Sequence, residues 1–118
     1  MNGTRSILII SRNKILQDLR TIILERAGFA VAAVHNDQDA IRIVESSAAF
    51  DVVLLCHTVP EASRLILVNR MKLVHPSMPI LMLYNGFDPT EARVDGSLHS
   101  LESPEALVSL AKSLSTRM

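Results

Sequence analysis

Cys56 and His57 are the residues with the most obvious capacity for chemistry, and they close the run Asp51-Val52-Val53-Leu54-Leu55-Cys56-His57-Thr58-Val59-Pro60. A thiol with a nearby cation such as Arg12 is a candidate nucleophile or redox sensor, because a positive neighbour favours the thiolate. Side chains of adjacent residues on an extended chain point to opposite sides, so Cys56 and His57 make a poor catalytic dyad. The other reading of Cys56 is a small buried residue that fills a pocket, the usual place of a free cysteine. His35, His57 and His99 fall near strand ends and with Cys56 would make a zinc or nickel set, but no ligand spacing supports it. No metal and no cofactor is expected. Met71, Met78 and Met82 read as core filler.

Those side chains need a scaffold, and composition bounds what it is. At 118 residues the chain makes one domain, with 48% hydrophobic residues but only 3% aromatic ones. Its core must therefore come from Leu, Ile, Val, Ala and Met. Lys plus Arg and Asp plus Glu balance at 12 each, which argues against a nucleic-acid partner. One cysteine excludes an internal disulfide and suits a reducing cytoplasm. No apolar stretch reaches the roughly 18 residues of a membrane span, and the N-terminal apolar run is too short for a signal peptide. A cytoplasmic protein without membrane contact is the expectation.

Short apolar runs alternate with amphipathic stretches along the chain. Ser6–Ile10 has the continuous apolar pattern of a strand covered on both faces. A helix follows through Ala27, with Ser11 or Asn13 as its cap, Ile15, Leu16, Leu19, Ile22, Ile23 and Arg26 at helical spacing, and Gly28 ending it. Residues Phe29–His35 form the second strand, and a helix over Asp37–Ser47 buries Ala40, Ile41 and Val44. Val52–Cys56 is the third strand, and Pro60–Val74 is a helix stopped by His75-Pro76. Within it, Leu65-Ile66-Leu67-Val68 is apolar around more than one face, which suits either deep packing or an exposed interface.

Pro79–Tyr84 is the fourth strand. The turn residues Asn85-Gly86-Phe87-Asp88-Pro89 leave room for about one helical turn around Thr90–Arg93. A short strand at Ser97–His99 precedes a final helix capped by Ser103, opened by Pro104 and buried through Leu107, Leu110, Ala111 and Leu114. This alternation predicts an α/β fold, a doubly wound five-stranded parallel sheet of order 2-1-3-4-5 with a shortened helix after the fourth strand. Its crevice then gathers Ser11, Arg12 and Cys56, flanked by Tyr84 and Ser100.

From Ile7 to Leu114 the chain resembles the receiver domains of response regulators. The resemblance rests on Ile7-Leu8-Ile9-Ile10, on Leu24-Glu25-Arg26-Ala27-Gly28-Phe29, on the Asp51–Pro60 segment, on Met71-Lys72-Leu73-Val74-His75-Pro76-Ser77-Met78-Pro79-Ile80 and on Asp95–Ser100. It implies a magnesium-dependent aspartyl phosphorylation site, yet every position of that site has changed. Ser11-Arg12-Asn13 stands where acidic residues hold the metal, and Cys56 stands where the acceptor aspartate belongs. Tyr84 replaces a Thr or Ser, Ser100 replaces a lysine, and Ser97 falls where many members carry a signalling aromatic.

Magnesium needs hard oxygen ligands, and Ser11 and Arg12 offer a neutral hydroxyl and a cation. Ser100 supplies no charge for a phosphoryl oxygen, and Tyr84 is too bulky for the usual hydroxyl contact. Arg12 is expected to stand in for the metal by pairing with a local carboxylate or a backbone carbonyl. The resemblance therefore implies an atypical, stand-alone receiver of two-component phosphorelay signalling. It would not be an enzyme, and it would act through contact with a protein partner or a second copy of itself. The alternative is a thiol-based sensor or enzyme using Cys56, and a relic that only folds is a third reading.

Overall fold

The computed structural model describes residues 4–46, 49–85 and 94–116. Its elements run β1 (Ser6–Ile10), α1 (Lys14–Arg26), β2 (Ala30–Val34), α2 (Asp37–Glu45), β3 (Val52–Leu55), α3 (Glu61–Val74), β4 (Ile80–Tyr84), β5 (Gly96–His99) and α4 (Pro104–Ser115). The strands form one parallel sheet in the order β2-β1-β3-β4-β5, as the alternation of patterns predicts. Ile10 pairs with Val34 on one side and Leu55 on the other, so β1 is the strand at which the winding reverses. The short helix expected around Thr90–Arg93 lies outside the described residues, as does Ser47 at the expected end of α2.

Strand alternation sorts the core onto two faces. Leu8, Ile10, Val53 and Leu55 pack with Ala40 and Val44 of α2 and with Leu67, Val68 and Met71 of α3. Ile7, Ile9, Val52, Leu54 and Cys56 pack on the other face with Leu24 of α1 and with Leu107, Ala111 and Leu114 of α4. The period of two thus carries Cys56 to the α1–α4 side of the sheet, although it lies one residue beyond β3. Both faces are covered by helices, which explains why these strands read as unbroken apolar runs.

Caps set the helix bounds. Asn13, not Ser11, caps α1, its side chain accepting from Leu16 N–H. Asn36 caps α2 by accepting from Asp39 N–H, and Ser103 caps α4 by accepting from Ala106 N–H. At the end of α1, Phe29 N–H bonds to Leu24 O and Gly28 N–H to Glu25 O, both at 3.0 Å. Gly28 has φ of +101°, so this is a Schellman ending built on a left-handed residue.

The apolar stripe expected on α1 needs correction. Ile15 is 80% exposed, and Leu19 and Ile22 are about half exposed. The face turned to the sheet is Gln17, Arg20 and Leu24 instead. Gln17 Nε2 donates to Val34 O at 2.7 Å and to Ile9 O at 3.4 Å, which fastens the helix to the ends of two strands. In α3 the apolar run divides: Leu67 and Val68 are buried, while Leu65 and Ile66 remain near half exposed.

A Cβ built at Gly28 meets nothing within 4 Å, so any cost of substitution there is conformational. Gly28→Ala is expected to destabilise the protein by about 1–2 kcal/mol. Urea unfolding should show a lower midpoint with an unchanged slope; an unchanged midpoint would contradict the strain assigned to this turn.

Candidate functional site

The carboxyl ends of β1 and β3 lie side by side because Cys56 N–H donates to Ile10 O at 2.9 Å. This brings Ser11, Arg12 and Cys56 together. Thr58, a residue with no distinguishing mark in the sequence, ties the first two. Its Oγ1 lies 3.0 Å from the fully buried Ser11 Oγ and accepts from Arg12 N–H at 2.9 Å. Asn13 N–H donates to Ser11 Oγ at 3.2 Å, so the hydroxyl is committed to holding the β1–α1 turn.

Arg12 turns outward to α2. Its Nη2 lies 2.6 Å from Asp37 Oδ1, and its Nε donates to the same oxygen at 3.2 Å. Ser63 of α3 donates to Asp37 Oδ2 at 2.7 Å. The Arg12 guanidinium and then the Ser63 hydroxyl hold the Asp37 carboxyl below its usual range, against a smaller opposing effect of burial. Arg12 has therefore found the local carboxylate expected for it. Asp37 and Ser63 are partners that sequence spacing did not reveal, since they lie 25 and 51 residues away.

Cys56 is fully enclosed, and burial pushes its thiol up; Arg20 and Ser11 pull the other way without prevailing. Cys56 is thus held as a neutral thiol rather than a reactive thiolate. His57, less buried, is pushed toward its neutral form by burial first and then by electrostatic repulsion from Arg20, Arg64 and the His99 side chain. On the far side, Tyr84 meets His99 edge to face, with ring centroids 5.2 Å apart and planes at 83°. Ser100 N–H donates to Tyr84 O at 2.8 Å, which seats Ser100 beside the end of β4. Ser11, Arg12 and Cys56 are in this way joined at one end of the sheet, and Tyr84 and Ser100 form its flank.

Among the described residues, no group of three His, Cys, Asp or Glu side chains is placed to hold a metal ion. The donor set at the crevice is one committed hydroxyl, one buried thiol and an aspartate already paired with arginine. It does not fit magnesium, which takes carboxylate oxygens in a near-octahedral shell.

No protein-family model matches the chain, and no curated protein matches it. Solved structures do. A receiver domain protein from Clostridium thermocellum superimposes with a TM-score of 0.85 at 20% identity, over 96% of this chain and 95% of that one. A CheY-like receiver domain protein from Methanospirillum hungatei JF-1 gives 0.83 at 20% identity, over 96% and 94%. The receiver domain of a sensor histidine kinase from Pseudomonas aeruginosa PAO1 gives 0.82 at 16% identity, over 98% and 100%; that structure has a magnesium ion coordinated in its active-site cleft. The chain has the receiver fold. Within that fold, the crevice at the ends of β1 and β3 is the place where Arg12, Cys56 and Thr58 meet.

The Asp37 pair yields a pH test. Folded Asp37 holds its proton less tightly than the unfolded chain, whose aspartates titrate near about 3.9. Its contribution is present above that value and is lost as pH falls through the lower folded one. Arg12 and Asp37 side chains are 39% and 37% exposed, so Asp37→Asn should cost no more than about 1 kcal/mol at neutral pH. The gap between variant and parent should close on acidification; a gap that widens in acid would refute the pairing.

Cys56 gives a second test. Alkylation by iodoacetamide at neutral pH should be far slower in the folded protein than in denaturant, and its rate should rise only at alkaline pH. Rapid labelling at pH 7 would show an activated thiol instead.

Proposed function

We propose that this chain is an atypical receiver of two-component signal transduction that works through protein–protein contact without accepting a phosphoryl group. The receiver fold supports the pathway, and the crevice supports the loss of chemistry. The observation that carries the reading is the Arg12–Asp37–Ser63 network beside a buried Cys56. A guanidinium there repels a divalent cation and removes the nearest carboxylate from service. A buried neutral thiol offers no carboxylate oxygen to phosphorylate.

The work left to such a domain is binding, as a scaffold, adaptor or sequestering partner. Exposed apolar side chains favour this: Ile15, Leu19 and Ile22 share one flank of α1, and Leu65, Ile66 and Leu73 stand out on α3. Balanced charge favours a protein partner over nucleic acid. Among the described residues no helix is long and apolar enough to cross a membrane. On this reading the partner is a protein of a signalling pathway, and the chain itself catalyses no reaction.

Incubation with acetyl phosphate and magnesium, followed by intact-mass measurement, tests the reading. The expected result is an unchanged mass. A stoichiometric, acid-labile phosphate adduct would overturn it.

A further inference from the structure

The sheet-facing side of α1 carries two polar residues, and only one of them is satisfied. Gln17 spends its amide on two strand carbonyls, as described above. Arg20, three residues on, is only 8% exposed, and its Nη1 is sealed without a hydrogen-bond partner among the described residues. No acidic side chain is within ion-pair distance of it among those residues. It lies by Cys56 and acts on His57 through its charge, and neither is an anion. An arginine keeps its proton under all ordinary conditions, so this buried positive charge is left uncompensated.

Arg20 also lines a cavity of about 170 Å³ between α1, the ends of β4 and β5, and the first turn of α4. That is room for roughly five or six water molecules at about 30 Å³ each. The walls are largely apolar, supplied by Leu16 and Ile23 of α1, Leu83 of β4, Leu98 of β5 and Leu107 of α4. Ser103 and Pro104 open α4 at the same cavity, so the positive end of a 12-residue helix dipole adds to the arginine. The one acidic lining residue, Glu102, is exposed to solvent.

We propose that this cavity binds a small monocarboxylate with a short apolar tail, its carboxylate received by Arg20. Arg20 is the cationic side chain that lines the cavity, so its guanidinium receives the two carboxylate oxygens, and the tail lies among the leucines. One negative charge matches one arginine. His99, Ser100 and Ser103 also line the cavity, but a phosphate dianion would bring a second charge among mostly apolar walls, and an uncharged apolar guest would leave the arginine as it is. The site adjoins the crevice through Ser100 and through Arg20 beside Cys56, but it lies away from the Arg12–Asp37 pair and does not depend on whether the protein accepts phosphate.

The full chain is titrated with hexanoate, hexan-1-ol and inorganic phosphate by calorimetry, while NMR follows the Arg20 Nε–Hε resonance. Hexanoate should bind saturably and shift that resonance. Loss of the charged hydrogen bonds should weaken hexan-1-ol, and hexanoate binding to Arg20→Met, by about ten- to a hundredfold. The proposal fails if hexanoate leaves the Arg20 resonance in place, if hexan-1-ol binds as well as hexanoate, or if phosphate binds more tightly than either. Should Arg20→Met not fold, the comparison of hexanoate with hexan-1-ol on the parent protein decides the matter.

Discussion

Parallel pairing of β1 with both β2 and β3 is the constraint from which the rest of the site follows. Parallel neighbours need crossovers, and crossovers that leave β1 in opposite directions open a crevice at the strands' carboxyl ends. Ser11 and Cys56 are brought together there by backbone hydrogen bonds alone, before any side chain is chosen. What the side chains decide is how the exposed strand ends are satisfied. In this chain Thr58, Ser11 and the Asn13 amide close a local network, and Arg12 is sent outward to Asp37. The crevice is thereby held together by its own contacts.

Electrostatics at the two sides of the sheet then diverge. On the α2–α3 side, the Arg12 charge is balanced by Asp37 with help from Ser63, in a setting open enough for solvent to screen it. On the α1–α4 side, Arg20 is enclosed with a thiol and apolar side chains, and no carboxylate answers it among the described residues. Removing a charge from water costs several kcal/mol unless a counter-charge meets it. The same residue type is thus ordinary at position 12 and an unpaid electrostatic debt at position 20.

Strand order, strand positions and most caps were legible in the sequence because they rest on local signals. Four apolar runs mark β1 to β4, and Asn13, Gly28, Ser103 and Pro104 mark helix ends by chemistry that acts within a few residues. The gathering of Ser11, Arg12 and Cys56 followed from that topology. The covered face of α1 was not legible, since Ile15, Leu19 and Ile22 promise a buried stripe that the sheet does not take. Gln17 outweighs them by bonding to carbonyls of Ile9 and Val34, residues whose nearness exists only after the sheet has formed. Thr58, Ser63 and Asp37 were missed for the same reason: polar pairings across 25 or more residues leave no periodic trace.

The receiver fold and the crevice of this chain draw on separate residues. Ile7 to Ile10, Val52 to Leu55 and Ile80 to Leu83 supply the buried layers and lie within the strands. Ser11, Arg12, Thr58 and Ser100 lie just past strand ends, where a substitution changes polar bonds but removes little buried apolar area. Large losses of stability come from cavities or unpaired buried polar groups, and the Ser11–Thr58 and Arg12–Asp37 contacts avoid both. A fold of this kind can therefore change the chemistry at its strand ends at small cost to its core. That is also why likeness at 16–20% identity over nearly the whole chain speaks for the architecture and leaves the activity to be read from the site.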